Sequence, residues 1–313
     1  MKVLVGFSEK DYPQVKVFSD LGKCEFINYD KNYLINRICE FDILIPNLSV
    51  QINSEIISKA QNLTLLATPS TGTDHIEIDL IKKKYIKLIS LNDDRLFLEQ
   101  ISSTAEMAWL LVLGSMRKIR KLNNRIQIDK SWDNSDIRGF ELNKKTLGII
   151  GYGRLGKLVA NYANSFGMNV LAYDINTDQY DSKVEGVFFE TLLRNSDVIS
   201  LHAKLTKKNI NIIDELAVSK MKKGVVIVNT ARGGLLKSSA ILTGLDNEII
   251  SAVGLDVLNN EYNSLRLPND PLIERSLKDD RILITPHVGG ATYDSHKLVF
   301  YKLAELIKNS LNN

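Results

Sequence analysis

One stretch, Lys145 to Asp174, limits more than any other what this chain can fold into. It opens on a short apolar run rich in β-branched residues, Thr146-Leu147-Gly148-Ile149-Ile150, which reads as a buried strand. The run breaks at Gly151-Tyr152-Gly153-Arg154-Leu155-Gly156, and Leu155, Leu158, Val159 and Tyr162 then recur at helical spacing. A second apolar strand, Asn169 to Tyr173, closes on Asp174. Strand, Gly-x-Gly-x-x-Gly, helix, strand and terminal acid compose a dinucleotide-binding βαβ unit.

Each part has a physical job. Gly151 permits the tight turn off the strand, Gly153 lets the backbone approach a pyrophosphate, and Gly156 lets the helix pack closely on the sheet. The helix N-terminus offers free N–H groups and a positive dipole end to phosphates. Asp174, 18 residues after Gly156, is placed to accept hydrogen bonds from a ribose diol. Ile175 and Asn176 follow it, with no cation beside the acid to neutralise a 2′-phosphate, so the expected cofactor is NAD rather than NADP. Gly151 through Lys157 also fits the first seven positions of a phosphate-loop NTPase signature. That chemistry needs a hydroxyl next to hold Mg²⁺, and Leu158 has none.

The 313 residues are enough for about two domains, each with its own core. A net charge of +3 and a single dense basic run, Lys82-Lys83-Lys84, favour a solvated helix end over a nucleic-acid patch. Two cysteines, Cys24 and Cys39, are too few for a disulfide framework and fit a reducing, cytoplasmic setting. The opening Met-Lys-Val-Leu-Val-Gly-Phe is too short an apolar run for a signal peptide. The apolar helix near Ala105 to Met116 contains Glu106 and is read as too short to span a bilayer. A soluble protein with no membrane or nucleic-acid partner is expected, and no metal site.

Residues 1 to about 100 alternate apolar runs with amphipathic segments. Val3–Phe7, Glu25–Tyr29, Ile43–Pro46, Leu63–Ala67 and Ile86–Ser90 read as strands, with a helix over Val50–Ala60. After the opening βαβ unit, further strands are expected at Gly186–Phe189, Asp197–Leu201, Gly224–Asn229, Ile250–Leu255 and Arg281–Thr285. The fold class is therefore α/β, with two doubly wound parallel-sheet domains: a Rossmann nucleotide-binding domain over 101–289 and a smaller flavodoxin-like substrate domain over 1–100 and 290–313. The final helix, about Thr292 to Leu311, has no strand after it and is expected to return to the first domain, leaving a cofactor cleft between the two.

Four features fall where ligands sit in such sheets, past strand carboxyl ends. The loop Ser70-Thr71-Gly72-Thr73-Asp74 is rich in hydroxyls and amides able to receive a small carboxylate; the plainer reading is an ordinary loop with Asp74 capping a helix. Arg232 follows Val226–Ala231, Glu261 lies after Gly254–Val257, and His287 follows Ile282–Pro286. Together they suit hydride transfer between a nicotinamide and a 2-keto or 2-hydroxy acid. An imidazolium can protonate the oxygen that gains charge, a carboxylate partner favours that charged form, and a guanidinium can clamp the substrate carboxylate. Taken singly, each residue is as readily structural.

At this point the sequence resembles the D-isomer-specific 2-hydroxyacid dehydrogenases over essentially its whole length. The resemblance rests on STGTDHIEID at 70–79, STAEMAWLL at 103–111, TLGIIGYGRLGK at 146–157 and SLHAKLT at 200–206. It continues through MKKGVVIVNTARGG at 221–234, GLDVLNNE at 254–261 and TPHVGGAT at 285–292. It implies Arg232 as the substrate-binding arginine, His287 as acid/base and Glu261 as its carboxylate partner. It further implies that Asp256 holds the nicotinamide carboxamide and that Thr71 and Gly72 receive the substrate carboxylate. Arg154 and Leu155 would lie in the pyrophosphate turn, and Thr104, His202 and Thr230 would line the cofactor. A homodimer through the nucleotide domain is implied too.

The sequence departs from the family pattern in places. The usual His-x-Pro-Leu-Thr reads His202-Ala203-Lys204-Leu205-Thr206, Ser70 stands where glycine is common, and Lys237-Ser238 replaces an acidic pair. These bear on substrate identity: D-3-phosphoglycerate, or hydroxypyruvate or glyoxylate. Arg95, Lys204 and Lys237 are the cations available for a phosphate. The expectation is an NAD-dependent oxidoreductase of class EC 1.1.1.-; the alternative is an NADH-binding regulator of the corepressor type without physiological turnover.

Overall fold

The computed structural model describes residues 1–48, 50–259, 261 and 269–312. The chain gathers into two compact units, one of Met1–Ile101, Glu261–Leu267 and Ala291–Asn313, the other of Ser102–Asn260 and Pro268–Gly290.

The first unit holds a five-stranded sheet of β1 (Lys2–Val5), β2 (Lys23–Phe26), β3 (Ile43–Ile45), β4 (Leu65–Ala67) and β5 (Lys87–Ile89). Every pairing is parallel, in the order β2-β1-β3-β4-β5, the flavodoxin-like order. Successive side chains of a strand face opposite sides, so Val3 and Val5 enter one core while Leu4 enters another. The helix Tyr293–Asn312 supplies Phe300, Leu303, Ala304 and Ile307 to the Val3/Val5 side. Together with Val15, Phe18 and Leu21 of the helix Pro13–Leu21 it covers that face, which accounts for a helix with no following strand.

The second unit holds seven parallel strands: β6 (Thr146–Ile150), β7 (Asn169–Tyr173), β8 (Glu185–Gly186), β9 (Val198–Leu201), β10 (Val225–Asn229), β11 (Ile250–Leu255) and β12 (Ile282–Ile284). The order is β12-β11-β10-β9-β6-β7-β8, so the direction of winding reverses between β6 and β9. Both faces are covered, which is why these strands read as continuous apolar runs. In β10, Val225 and Ile227 face one core, and Val226 and Val228 the other. The helix Ser103–Met116 lies against the second face through Ala105, Ala108, Leu111 and Val112.

Several expectations need correction. β8 is two residues long, and Phe189 begins the helix Phe189–Asn195 rather than ending a strand. Phe188 is 85% exposed, so its apolarity marked no burial. The helix expected over Val50–Ala60 is confined to Ser54–Lys59, started by the Asn53 side chain accepting the Ile56 N–H. The next helix begins at Ile78 with Glu77, not Asp74, at its N-cap and no side-chain cap. The apolar stretch before β6 is longer than read, and Arg95–Met116 is the one segment among the described residues long and apolar enough to cross a membrane. It is broken, however, into Arg95–Leu98 and Ser103–Met116, and the latter is a core helix. Glu261, expected within the nucleotide-binding domain, groups with the unit of Met1–Ile101.

Candidate active site

Strand register builds the site. Ile150 pairs with Leu201, Leu201 with Asn229, Asn229 with Leu255 and Leu255 with Ile284, all side by side across β6, β9, β10, β11 and β12. The next residue along each strand therefore stands on one rim: Gly151, His202, Thr230, Asp256 and Thr285. In open α/β sheets this carboxyl edge, at the point where winding reverses, is where ligands bind.

The glycines at the β6 end divide by cause. Gly151 has φ +96°, and a Cβ there would stand 2.4 Å from the Ala203 nitrogen. A Cβ on Gly156 would meet the Gly151 carbonyl oxygen at 2.3 Å. Those two are required by the chain's own packing. Gly153 is different: its φ is −82°, and a Cβ would meet nothing within 4 Å. Nothing in the described structure demands glycine at 153, and its lack of a side chain lets a ligand approach the N-terminus of the helix Arg154–Ser165 closely. Arg154 and Leu155 open that helix, with Leu155 packed against the core.

Further along the rim, His202 and Thr230 carry buried polar atoms, Nδ1 and Oγ1, with no hydrogen-bond partner among the described residues. Burial holds the His202 imidazole neutral, its pKa pushed down to about 4, and its Nε2 lies 2.9 Å from the Ser200 hydroxyl. Orphaned polar atoms beside a bare helix N-terminus fit a polar dinucleotide. At the β7 end, the Asp174 carboxylate accepts the Tyr152 N–H at 2.7 Å and the Asn176 N–H at 2.8 Å. One lone pair on each oxygen remains for a ribose diol.

Arg232 and His287 rise from the β10 and β12 ends. Asn229, fully buried, staples the β10 turn: its Nδ2 donates to the Arg232 carbonyl and its Oδ1 accepts the Ala231 N–H. The next turn then passes so closely that a Cβ on Gly233 would stand 2.1 Å from the Leu258 carbonyl carbon. Arg232 is half-buried, and its Nη1 donates to the Ala231 carbonyl at 2.7 Å.

His287 sits at φ +53°, a left-handed conformation that non-glycine residues seldom adopt. Asp256 accounts for it. The buried Asp256 carboxylate accepts from the Thr285 hydroxyl at 2.5 Å, the Val288 N–H at 2.9 Å and the Gly289 N–H at 2.7 Å. Thr104, in the first turn of the helix Ser103–Met116, lies against the same turn, its methyl 3.4 Å from the place of a Gly289 Cβ. Asp256, His287 and Thr104 thus share one neighbourhood.

Thr71, Gly72 and Glu261 belong to the other unit. There the loop after β4 is braced internally. Buried Thr68 accepts the Ser70 N–H at 3.2 Å, and Ser70 Oγ accepts the Gly72 N–H at 3.1 Å. Ser70 therefore occupies the amide expected to receive substrate. Glu261 is half-buried. Among the described residues no His, Cys, Asp and Glu cluster is arranged to hold a metal.

Residues 109–289 match the NAD binding domain of the D-isomer specific 2-hydroxyacid dehydrogenases. The chain belongs to that family. It is similar to the hydroxypyruvate reductase of Thermotoga maritima, with 35% identity over 282 residues that cover 90% of this chain and 89% of that protein. It is 33% identical over 279 residues to the D-3-phosphoglycerate dehydrogenase of Archaeoglobus fulgidus, covering 88% of this chain but 50% of that relative, about half its length. Its fold is similar to a D-lactate dehydrogenase from Aquifex aeolicus solved with NAD and lactic acid, at a TM-score of 0.85 and 29% identity, over 100% of this chain and 96% of that one.

This dehydrogenase is accordingly an NAD-dependent oxidoreductase of 2-hydroxy acids. Its sequence had already marked Gly151, Gly153, Gly156, Asp174, Arg232 and His287. Asn229, which fixes the Arg232 turn, and the bracing role of Asp256 were missed. Asn229 had a usable signal, an amide side chain ending an otherwise apolar strand. The role of Asp256 had none, since its donors lie 29 to 33 positions away.

Proposed function

We propose that this dehydrogenase reduces a small, unphosphorylated 2-keto acid of the glyoxylate or hydroxypyruvate kind. The observation that carries the catalytic reading is the rim itself: Arg232 and His287 rise from register-matched strand ends that also hold His202, Thr230 and Asp256. NADH, when bound, supplies the hydride. Arg232 clamps the substrate carboxylate and polarises the keto group, its planar fork matching two oxygens. His287 gives a proton to the oxygen as charge develops there. By the family resemblance, Glu261 is the carboxylate partner that orients the ring. The Thr71–Gly72 loop receives the carboxylate, with Ser70 Oγ yielding the Gly72 amide. Asp256 presents the turn and, by the family resemblance, would hold the nicotinamide carboxamide.

Two observations support the unphosphorylated class. The hydroxypyruvate reductase aligns at 35% identity over 90% of this chain, the phosphoglycerate dehydrogenase at 33% over 88%. Lys237, one of the cations considered for a phosphate, is paired with Glu215 at 3.0 Å. A panel of 2-keto acids followed by NADH absorbance tests the proposal. Glyoxylate or hydroxypyruvate should exceed 3-phosphohydroxypyruvate in kcat/KM by about tenfold or more, a difference of about 1.4 kcal/mol. The reverse order would reject the unphosphorylated class.

The assembly and setting belong to the same proposal. Leu110, Ile126, Ile128, Trp132 and Phe140 are exposed within residues 110–140 of the nucleotide-binding unit, with Trp132 at 89%. That much uncovered apolar surface fits a homodimer. Light scattering of the protein and of Trp132→Asp should show a dimer that the substitution weakens. The free Cys24 and Cys39 fit a reducing cytoplasm.

A further inference from the structure

Asp174 is held by more than its own two amide contacts. Its backbone N–H donates to the Tyr180 hydroxyl at 2.8 Å, and that hydroxyl in turn faces the Asp174 carbonyl oxygen at 3.4 Å. The Tyr180 ring lies over β8 so closely that a Cβ on Gly186 would stand 2.4 Å from it. On its other side it packs against the fully buried ring of Tyr152, with centroids 5.9 Å apart. Tyr152 closes the loop, its hydroxyl donating to Asp181 Oδ1 at 2.9 Å while its own N–H holds Asp174 Oδ2. The segment from Asp174 to Asp181 is thus a clasp, folded back on the glycine turn and pinned at both ends.

We propose that Tyr180 is a positioning residue for cofactor choice: by fixing the Asp174 backbone it keeps the carboxylate from swinging aside, and so enforces NADH over NADPH. The inference rests on the reading of Asp174 as the ribose-diol acceptor. A carboxylate free to rotate can move away from a 2′-phosphate and relieve the repulsion between like charges. One whose oxygens accept the Tyr152 and Asn176 amides, on a backbone held by Tyr180, cannot do so without breaking hydrogen bonds. The same rigidity aids NADH, because the two lone pairs facing the diol need no ordering when it arrives.

The test is binding of NADH and NADPH, each followed by nicotinamide fluorescence, to the wild-type protein, Tyr180→Phe, Asp174→Ala and the double variant. Tyr180→Phe keeps the ring and removes only the hydroxyl. It should weaken NADH and tighten NADPH, and so shrink the preference about fivefold in all. In the Asp174→Ala background it should change neither affinity, a non-additivity that a purely structural role would not produce. If Asp174→Ala removes the preference while Tyr180→Phe retains it, the role of Tyr180 is wrong and that of Asp174 stands. If Asp174→Ala also keeps the preference, both fall. Should Tyr180→Phe fail to fold, as judged by circular dichroism, Gly186→Ala provides a second route. Its methyl pushes the Tyr180 ring, and it should narrow the preference in the same direction; an unchanged preference there overturns the proposal.

Discussion

The backbone N–H of His287 donates to the backbone carbonyl of Asp256 at 2.9 Å, so the imidazole is carried by a turn tied to the next strand end. The Asp256 carboxylate adds three more bonds to residues of that turn. Asp256→Ala would leave two amides and a hydroxyl without their acceptor. The expected loss of stability is about 3 kcal/mol, visible in denaturant unfolding. kcat should fall with it, because His287 at φ +53° keeps that conformation only while its surroundings impose it. A variant with wild-type stability and turnover would remove Asp256 from this role.

His287→Asn separates the backbone demand from the chemistry. Asparagine is among the residues that tolerate the left-handed region, so the turn should survive. It cannot donate a proton as an imidazolium can, so kcat should drop roughly 100-fold or more while NADH affinity stays near the parental value. Stopped-flow turnover and NADH fluorescence measure the two effects separately. Turnover at the parental rate would exclude His287 as the proton donor.

The fold was legible wherever burial was two-sided. β6, β9, β10 and β11 are continuous apolar runs because both of their faces are covered, and the sequence reading placed them within a residue or so. β8 was misread for the opposite reason, since Val187, Phe188 and Phe189 are apolar but leave the strand at once. The glycine turn was legible because Gly151 takes a positive φ and Gly156 a close backbone approach that other residues do not allow. The bracing around it was not. Asn229, Asp256 and Tyr180 act through hydrogen bonds to partners set by the three-dimensional register, and no local pattern announces them. Nor does a sequence show that Ser70 covers the Gly72 amide, which depends on a side-chain rotamer in a loop.

His202 predicts a pH dependence with a definite sign. Its folded pKa is about 4, lowered by burial from an ordinary value of 6.5. Above the ordinary value both folded and unfolded forms are neutral, and the residue adds no slope. As pH falls from 6.5 toward 4 the unfolded chain takes up a proton that the folded one refuses, so stability declines across that window. The full difference is about 3 kcal/mol. His296, whose pKa burial also lowers, acts in the same direction, so the comparison must be between wild type and His202→Gln. The variant should show a shallower loss of melting temperature between pH 6.5 and pH 4. Parallel curves would mean that the imidazole is not held neutral.

The glycines allow cofactor binding to be separated from folding. Gly153→Ala adds a methyl where no protein atom lies within 4 Å, at a φ of −82° that alanine accepts. It should melt at the wild-type temperature. Its methyl points into the space that a pyrophosphate must enter, so NADH affinity should fall by about tenfold or more. Gly156→Ala meets the Gly151 carbonyl oxygen at 2.3 Å and should lose stability first, because the helix must lift from the sheet to admit it. If Gly153→Ala binds NADH as the wild type does, the phosphates do not approach this turn. If instead it unfolds, glycine at 153 serves the chain and not the cofactor. Only a variant that is stable and binding-deficient places the dinucleotide at the N-terminus of the helix Arg154–Ser165.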